Sequence, residues 1–363
     1  MKVLHIINNL GAGGAEKLIV DTLPIYNQKG ITTDLLVLTQ KNSAFLNALI
    51  GLNCCKIHNL NVISIYDPRI VFMLKPFLKN ADIVHVHLFP SFYYVALCKR
   101  LFNIPSQLIY TEHSTTNRRI FNSFFKRLDL YVYSSYDKIV CISNSVKTIL
   151  QTHYKLQESQ IEVIFNGINL ETIYKAKPLN LASVDPLFHP TQKYIIQVSR
   201  FKYPKDQTTL IKSLCHLPNH IKLILVGTGE LLENCQILVS ELNLQKRIIF
   251  LGFRSDVPSL LKSSDIIVLS TLYEGLSLSS MEALACGKPF IGTNVTGLKE
   301  VIQDAGLMFE VGHSKALAAH IIKLLSDTSY YQQIASQCLL KSQNYSINKM
   351  VLNHIKLYEA QTS

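Results

Sequence analysis

The chain has 363 residues, a length that predicts two domains, each able to bury its own core. Apolar residues make up 48% and charged residues 17%, which excludes a disordered protein, and 15 Gly and 12 Pro are too few for a fibrous one. The formal net charge is +11, and the excess leans toward residues 1–185, which hold 19 Lys+Arg against 12 Asp+Glu. Nucleic acid, an anionic membrane and a phosphorylated ligand would each suit this charge.

Short apolar runs alternate with longer segments of helical period along both halves of the chain. The predicted strands are residues 3–7, 35–38, 83–86, 108–110, 139–142 and 163–165, and then 194–198, 223–226, 248–251, 266–269 and 290–292. Continuous apolar strands separated by helices are typical of parallel sheets covered on both faces. Because the series occurs twice, we expect two doubly wound α/β domains.

The stretch from 168 to 193 contains three prolines and lacks clear periodicity, which predicts a domain boundary there. We expect a first domain over residues 1–180 and a second over 190–345. A C-terminal helix over about 346–363 is expected to pack back onto the first domain. In open α/β sheets ligands bind at the carboxyl ends of the strands, so two facing domains predict a site in the cleft between them.

The cysteines and the N-terminus bear on the compartment. None of the eight cysteines forms a C-x-x-C pair, so we predict free thiols, a reducing cytosol and no structural metal. The first apolar run is too short for a signal peptide, and no run approaches the ~18 residues that a membrane span needs. We therefore expect a cytoplasmic protein.

A glycine-rich loop, residues 9–16 (NLGAGGAE), follows the first predicted strand and opens a helix. Glycines let backbone N–H groups approach an anion at a helix N-terminus. The spacing fails the dinucleotide fingerprint, because Glu16 stands where a third glycine or an alanine is needed and no acidic residue closes the second strand. An anion-binding loop and a tight strand-to-helix turn both remain open interpretations.

The densest signal is the segment 273–289 (YEGLSLSSMEALACGKP) after the strand at 266–269. It predicts a helix from about Ser279 to residue 285, capped by Ser279 and Ser280, with Glu282 in its first turn. Free N–H groups at that N-terminus suit a phosphate. Glu274 and Glu282, eight residues apart, suit sugar hydroxyls, so the segment predicts a nucleotide sugar; a capping carboxylate beside a loop glutamate is the alternative.

This segment resembles the E-x7-E region of the retaining glycosyltransferases of family 4, which have the GT-B fold. Further segments are similar to the family's patterns and follow the family's order: 13–16, 112–114, 166–169, 198–206, 226–230, 251–257, 287–294 and 300–302. The resemblance implies a GT-B fold of two facing Rossmann-like, doubly wound parallel-sheet domains. It also implies a retaining glycosyltransferase that moves a sugar from a nucleotide diphosphate sugar, with a UDP-sugar favoured, to a glycan or lipid-linked acceptor without a metal or other cofactor.

The resemblance assigns roles to individual residues. Arg200 and Lys205 would bind the donor pyrophosphate, while His113 and Glu274 would contact the transferred sugar, and these four form the expected catalytic group. The further donor-binding residues are Gly13, Gly14, Phe253, Leu278, Ser279 and Glu282, with Phe253 beneath the base and Glu282 at the ribose. No carboxylate is assigned as a nucleophile. Thr228, Glu230 and Thr296 depart from the family's pattern, and none of them is an expected ligand.

Two basic segments of the first half interleave aromatic and aliphatic residues with cations. One covers residues 120–136, just after Arg118 and Arg119, and the other covers residues 69–79. Lys99 and Arg100 add to the charge. Amphipathic segments of this kind can lie on an anionic bilayer, or they can pack on the core with solvated Lys and Arg edges. The first interpretation predicts a peripheral membrane contact that delivers a lipid-linked acceptor.

Three other functions compete with this one. A GT-B sugar-nucleotide epimerase would use the same donor without an acceptor, but the family 4 motifs disfavour it. A nucleic-acid-binding protein is suggested by charge alone, and no recognition module accompanies that charge, so we expect no nucleic-acid partner. A catalytically silent sugar-nucleotide binder would bind the donor without turnover, which the complete set of expected site residues disfavours.

Overall fold

The computed structural model describes residues 1–11, 13–39, 42–113 and 122–362. The chain divides into two compact units. The first comprises Met1–Gly167 together with Ile347–Ser363, and the second comprises Ile168–Ser346. The chain therefore leaves the first unit once and returns to it at the C-terminus.

The first unit is built on a parallel sheet of seven strands: β1 (Lys2–Ile7), β2 (Thr32–Val37), β3 (Lys56–Asn59), β4 (Ile83–His87), β5 (Gln107–Glu112), β6 (Lys138–Cys141) and β7 (Ile161–Val163). Their order is β3-β2-β1-β4-β5-β6-β7, so the direction of winding reverses between β1 and β4. Every residue of β4 is buried, as expected for a central strand covered on both faces.

The second unit is built on a parallel sheet of six strands: β8 (Lys193–Val198), β9 (Ile221–Val226), β10 (Ile248–Gly252), β11 (Ile266–Leu269), β12 (Phe290–Thr293) and β13 (Leu307–Phe309). Their order is β10-β9-β8-β11-β12-β13, and here the winding reverses between β8 and β11. Both units are therefore doubly wound, as the alternation of apolar strands and helices predicts.

The described helices are α1 (Gly14–Gln28), α2 (Ala44–Leu52), α3 (Ile70–Lys79), α4 (Ser91–Phe102), α5 (Ser123–Tyr133), α6 (Asn144–Tyr154), α7 (Leu170–Lys175), α8 (Gln207–Ser213), α9 (Leu232–Glu241), α10 (Val257–Ser263), α11 (Leu278–Ala285), α12 (Leu298–Ile302), α13 (Ser314–Ser326), α14 (Thr328–Ser342) and α15 (Ile347–Thr362). Helix α15 packs in the first unit, where the buried Tyr358 lies against Tyr26 of α1 with hydroxyl oxygens 3.4 Å apart. Within the described ranges, no helix has both the length and the apolar character that a membrane crossing requires.

Residues 168–180, which the sequence assigns to the first domain, belong to the second unit. Ile168 forms a parallel bridge with Ser346 at the other end of that unit. The ammonium group of Lys262 donates hydrogen bonds of 2.9 Å to the carbonyl oxygens of Tyr174 and Ala176. These contacts hold the segment to the second unit, although nothing in its own composition marks it as part of that unit.

Two edge strands, β3 and β13, are absent from the sequence prediction. The four residues of β3, KIHN, include two polar exposed ends and no apolar run. The three residues of β13 pair with β12 alone. A short edge strand needs only one apolar face, so its sequence lacks the continuous hydrophobic run that identifies a central strand.

Candidate active site

Arg200 and Lys205 lie in the loop that follows β8, at the carboxyl edge of the second sheet. Two glycines after β9 allow this loop to pack closely, because a Cβ at Gly227 (φ +134°) would lie 2.1 Å from the carbonyl oxygen of Ser199. Gly229 (φ +152°) meets the backbone of the same loop two residues later. No other residue type fits these conformations and contacts, so the glycines of the V-G-x-G segment hold the loop in place.

Buried polar side chains fix the backbone around Arg200. The amide nitrogen of Gln207 donates to the carbonyl oxygen of Arg200 at 3.0 Å and to the hydroxyl of Ser199 at 3.1 Å. The side chain of Gln207 is buried, whereas Arg200 is exposed. The arrangement holds the main chain and leaves the guanidinium group at the surface, where an anion can reach it.

The loop that carries Lys205 is bonded to the loop after β11. The backbone N–H of Asp206 donates to the carbonyl oxygen of Ser270 at 3.0 Å, and the N–H of Leu272 donates to that of Pro204 at 2.9 Å. The side chain of Asp206 also caps α8, since it accepts a hydrogen bond from the N–H of Thr209. Two loops that leave adjacent strands are thereby joined into one structure.

Lys205 and Glu274 form an ion pair across these two loops. The Lys205 Nζ bonds to Oε1 of Glu274, and the two side chains are only 17% and 11% exposed. Lys205 follows β8 and Glu274 follows β11, the two strands between which the sheet reverses its winding. Open α/β sheets bind ligands at this point, so the pair occupies the position where a ligand is expected.

Gly297 supports the loop that carries Glu274. Its φ is +83°, and a Cβ there would lie 2.3 Å from the carbonyl oxygen of Glu274 and 2.0 Å from that of Gly275. The contacting atoms are backbone atoms, which cannot move aside as a flexible side chain can. Glycine at this position therefore sets the path of the Glu274 backbone.

Helix α11 begins at Leu278, one residue before the predicted start, and its N-cap is Ser277, which forms no side-chain capping bond. The prediction that Ser279 and Ser280 cap the helix is therefore wrong. Ser280 is buried, and its hydroxyl donates to the carbonyl oxygen of Ser277 at 2.6 Å. Glu282 lies beyond the first turn, which holds no acidic residue. The start of α11 thus has no side-chain cap to compete with an anion.

The other predicted donor contacts of the second unit lie on separate elements that follow strands. Phe253 comes just after β10 and is 73% exposed, which leaves its ring available to a planar group. Glu282 lies on α11, half-buried. The structure thus brings Lys205 and Glu274 into direct contact, while Arg200, Phe253 and Glu282 approach the same edge of the sheet from three further positions.

In the first unit, Gly13 is the N-cap of α1 and Gly14 is its first residue, and the loop that precedes them follows β1. Gly13 makes no side-chain capping bond, and a Cβ built on it would lie 2.1 Å from a carboxylate oxygen of Glu16. The side chain of Glu16 therefore folds back over the helix N-terminus, where a carboxylate interacts favourably with the helix dipole. An incoming phosphate would have to displace it.

His113 follows β5 in the first unit, and its Nε2 lies 3.2 Å from Nδ1 of His87 at the end of β4. Burial lowers the pKa of His113 to about 4, because the interior disfavours the charged ring. The imidazole is therefore neutral at physiological pH. Ser114 of the predicted motif lies outside the described residues, as do Arg118, Arg119, Ile120 and Phe121.

Two contacts in these sites were not predicted from the sequence. The ion pair of Lys205 with Glu274 depends on how two loops meet, and no local sequence pattern indicates it. The contacts of His113 with other histidines depend on strand register. The segment IVHVH of β4 did contain a signal, because alternate residues of a strand share one face and His85 and His87 are therefore on the same side.

Comparison with known proteins agrees with this architecture. The family model described as Glycosyltransferase Family 4 matches residues 12–172, and the one described as Glycosyl transferases group 1 matches residues 182–338. Together they span both units. The chain therefore belongs to the glycosyltransferases that these two models describe, and its fold is the GT-B fold.

Among individual proteins, the N-acetyl-alpha-D-glucosaminyl L-malate synthase of Bacillus anthracis is 29% identical over 268 residues, which cover 71% of this chain and 69% of the relative. A Campylobacter jejuni enzyme named N-acetylgalactosamine-N,N'-diacetylbacillosaminyl-diphospho-undecaprenol 4-alpha-N-acetylgalactosaminyltransferase is 25% identical over 370 residues, 96% of this chain and 97% of the relative. The solved structure of Anabaena HepE in complex with UDP and glucose has a TM-score of 0.86 at 20% identity, covering 99% of this chain and 100% of that one.

Proposed function

We propose that the protein is a retaining glycosyltransferase that moves a sugar from a UDP-sugar to a lipid-linked glycan acceptor. One observation carries the proposal: Lys205 and Glu274 meet where the second sheet reverses its winding, between β8 and β11. This point is where doubly wound sheets bind nucleotides. The presence of UDP in the HepE structure and the lipid diphosphate in the name of the Campylobacter relative support the choice of donor and acceptor.

The reaction requires stabilisation of a departing nucleotide diphosphate. Arg200 and Lys205 supply two cations for the pyrophosphate, and the N–H groups at the start of α11, at Leu278 and Ser279, supply neutral donors. Because these groups provide positive potential from the protein itself, we propose that turnover requires no metal. As the bond between the anomeric carbon and the diphosphate oxygen breaks, the sugar becomes oxocarbenium-like, and the acceptor hydroxyl attacks from the same face while its proton passes to the departing phosphate oxygen. The configuration is then retained without an assigned carboxylate nucleophile. Turnover that persists in excess EDTA would support it, and turnover that EDTA abolishes and Mg²⁺ restores would contradict it.

The Lys205–Glu274 pair suggests how the donor engages the site. The two side chains neutralise each other in the ligand-free protein, and each is largely withdrawn from water. A pyrophosphate that binds Lys205 competes with the carboxylate of Glu274. Glu274 is then available to accept hydrogen bonds from hydroxyls of the transferred sugar, while Glu282 accepts them from the ribose and Phe253 supports the base.

The first unit contributes neutral groups in this proposal. Gly13 and Gly14 offer backbone N–H groups to the donor phosphates, and His113 offers a ring nitrogen to a hydroxyl of the sugar. The lowered pKa of His113 suits this role, because a neutral ring forms a hydrogen bond without placing a second cation beside the oxocarbenium centre.

A panel of UDP-, GDP- and ADP-sugars tests the donor assignment by nucleotide release, with and without lipid extract as acceptor. We expect release from a UDP-sugar, a product with retained anomeric configuration, and loss of release in Arg200→Ala and Glu282→Ala proteins that remain folded. Lys202→Ala provides the matched control, since Lys202 is an exposed cation of the same loop with no proposed role. Wild-type release in both site variants would overturn the site.

We propose further that helices α3, α4 and α5 meet an anionic membrane that presents the acceptor. Their exposed apolar side chains include Phe72 (62%), Leu101 (58%) and Phe124 (70%). The three helices form one continuous surface, because Phe72 of α3 packs against Phe102 of α4 and Arg100 of α4 stacks on Tyr131 of α5. Apolar side chains flanked by cations are typical of surfaces that enter a headgroup layer.

Not every cation of this surface is available to lipid. Lys99 is paired with Asp137 at 3.0 Å, and Arg69 with Asp67 at 2.7 Å. Lys79 and Arg127 are exposed. The number of charges that can neutralise lipid is therefore smaller than the composition suggests, and we expect the apolar side chains to contribute much of the affinity.

Flotation with vesicles tests this contact. We expect binding to phosphatidylglycerol vesicles and none to phosphatidylcholine vesicles at low salt, and loss of binding in a Phe72→Ser, Phe124→Ser double variant. Leu340→Ser is the matched control, because Leu340 is 73% exposed in the second unit. Equal binding of wild type and double variant would contradict the assignment of this surface.

A further inference from the structure

Three histidines of the first unit form a chain of ring-to-ring contacts. His5 lies in β1, His87 ends β4 and His113 follows β5, so neighbouring strands supply all three. Nδ1 of His5 lies 3.3 Å from Nε2 of His87, and Nδ1 of His87 lies 3.2 Å from Nε2 of His113. The chain runs from the fully enclosed His5 to the less buried His113 at the end of the sheet.

The ring positions are those of hydrogen-bonded imidazoles. The ring centroids are 5.6 Å apart for His5 and His87 and 5.5 Å apart for His87 and His113. Each centroid distance exceeds the corresponding N···N distance by about the width of a ring, so in both pairs the nitrogens point at each other. The ring planes of His5 and His87 are also nearly parallel, with an angle of 17° between them.

All three rings are neutral, because burial lowers the pKa of His5 to about 3 and of His113 to about 4, and lowers that of His87 as well. A neutral imidazole has one N–H donor and one nitrogen acceptor. Two N–H···N bonds among three such rings leave only two arrangements. In one, every N–H points toward His113; in the other, every N–H points toward His5.

The inner end of the chain decides between the two arrangements. Nε2 of His5 is buried and has no hydrogen-bond partner among the described residues. If the N–H groups pointed toward His5, this nitrogen would carry a buried N–H without an acceptor, which is the rarer and more costly kind of orphan. If they point toward His113, it carries only a lone pair. The arrangement in which the N–H groups point toward His113 is therefore favoured, and it leaves the proton of His113 on Nδ1.

We propose that His5 and His87 are positioning residues that hold His113 in the Nδ1–H form, so that its outer nitrogen donates to a hydroxyl oxygen of the sugar. His87 donates from Nδ1 to Nε2 of His113, and His5 donates from Nδ1 to Nε2 of His87. The role of His113 at the sugar rests on the proposed function, whereas the direction of the chain does not.

The neighbouring buried histidines are not part of this chain. Nδ1 of His85 lies 2.6 Å from the hydroxyl of Tyr358, and its Nε2 lies 2.6 Å from the hydroxyl of Thr111. His5, His85 and His87 place ring nitrogens within 4.8 Å of one another, as metal ligands do. The hydroxyl partners of His85 already account for both of its nitrogens, so we assign the cluster to hydrogen bonding. His354 stacks near Tyr358, and neither of its ring nitrogens has a partner in the described structure.

The tautomers are measured directly in the ligand-free protein labelled with ¹⁵N-histidine, by long-range ¹H–¹⁵N correlation at neutral pH. We expect His87 and His113 each to carry one proton, on Nδ1, with N–N coupling across the His87–His113 bond. A proton on Nε2 of His113, or a doubly protonated His87, would overturn the proposal. The measurement needs no substrate, so a failed donor assignment would leave its result intact.

Variants at His87 connect the tautomer with activity. His87→Leu removes the donor to His113, so we expect both tautomers of His113 and about a tenfold fall in kcat/KM for nucleotide release, the worth of one hydrogen bond. His87→Asn, whose amide N–H replaces the Nδ1–H of His87, should restore most of the wild-type kcat/KM. The control is His354→Leu, a buried histidine outside the chain, which should leave the His113 tautomer unchanged. An unchanged His113 tautomer and unchanged kcat/KM in folded His87→Leu would contradict the role of His87.

Discussion

The two units carry different chemistry at the same point of the same topology. In the first, where the winding reverses between β1 and β4, the strands bring together His5 and His87, whose rings are neutral and hydrogen-bonded. In the second, where it reverses between β8 and β11, the loops bring together the charged Lys205 and Glu274. The histidines lie on strands of the first sheet, whereas Lys205 and Glu274 lie in loops at the carboxyl edge of the second sheet.

Desolvation explains the difference. A charge enclosed on all sides is strongly disfavoured, so the histidines inside the first unit exist as neutral rings. Lys205 and Glu274 retain some exposure and compensate each other's charge. Neutral rings suit hydroxyl groups, whereas cations suit phosphates. We therefore expect the neutral ring of His113 to contact sugar hydroxyls and the cations Arg200 and Lys205 to bind the diphosphate, with Glu274 of the second unit as a further contact to the sugar.

The histidine-rich interior predicts that acid destabilises the first unit, which is the largest effect we expect. The pKa of His5, His113 and His354 falls to about 3, 4 and 3, and burial also lowers the pKa of His85 and His87. Between about pH 6.5 and 4 these histidines bind protons in the unfolded chain but stay neutral in the folded unit. The free energy of unfolding should therefore fall with pH across this window, by up to about 1.4 kcal/mol per pH unit for each histidine.

Urea unfolding followed at several pH values in this window measures that slope. Tyrosine fluorescence includes a signal from the first unit, because the packed cluster around Tyr110, Tyr133 and Tyr136 lies there. Replacement of one buried histidine by leucine, as in His354→Leu, should reduce the slope of the unfolding free energy against pH by the contribution of one histidine. A free energy of unfolding that stays constant from neutral pH to about pH 4 would contradict the buried neutral cluster.

Removal of the cation from the second site gives the next largest effect. Lys205→Ala should lower kcat for nucleotide release by about 10²–10³-fold, the cost of losing one group that stabilises developing charge. Steady-state release of UDP measures it, and circular dichroism shows whether the protein remains folded. Lys202→Ala should retain nearly full activity. If both lysines were equally dispensable, the leaving group would have to be stabilised elsewhere.

The sequence predicts the central strands of both sheets because their signals are local, whereas the expected roles of the site residues rest on the family resemblance and stay predictions. Apolar runs mark buried strands such as β4, and glycines such as Gly227 mark close backbone contacts. The edge strand β3 lacks an apolar run and was missed. The His5–His87–His113 chain depends on register, with His5 opposite His85 and His87 opposite Thr111, and register emerges only when separate segments pair.

The helix start at α11 illustrates a second limit. Serine is a favoured capping residue, so Ser279 and Ser280 were reasonable candidates from propensity alone. The loop after β11 places Ser277 at the N-cap instead and buries Ser280. The path of that loop is set by contact with Gly297, which lies more than twenty residues away in the sequence. Local propensity yields to such tertiary contacts.

Gly297→Ala tests whether that contact holds Glu274 in place. A Cβ at this position meets backbone oxygens of Glu274 and Gly275 at 2.3 and 2.0 Å, so we expect a loss of about 1–3 kcal/mol in unfolding free energy and reduced nucleotide release. Gly312→Ala is the matched control, since Gly312 also has a positive φ (+77°) but no atom within 4 Å of the added Cβ. It should lose about 1 kcal/mol from backbone strain and keep its activity. Equal losses in both variants would show that φ alone matters.

Glu274→Gln should produce the smallest effect and test the competition for Lys205. The uncharged amide no longer offsets the ammonium group, so the pyrophosphate meets an uncompensated cation. We expect UDP to bind up to about tenfold more tightly in titration calorimetry, while sugar transfer slows because the carboxylate that accepts sugar hydroxyls is gone.

Glu171→Gln is the control for this prediction. It breaks an exposed pair with Lys175, in which both side chains are more than 70% exposed, and should change neither UDP binding nor sugar transfer. Weaker UDP binding in Glu274→Gln would mean that Glu274 helps to hold Lys205 for the phosphate. The ion pair would then be part of the phosphate site of the second unit, with no competition for the pyrophosphate.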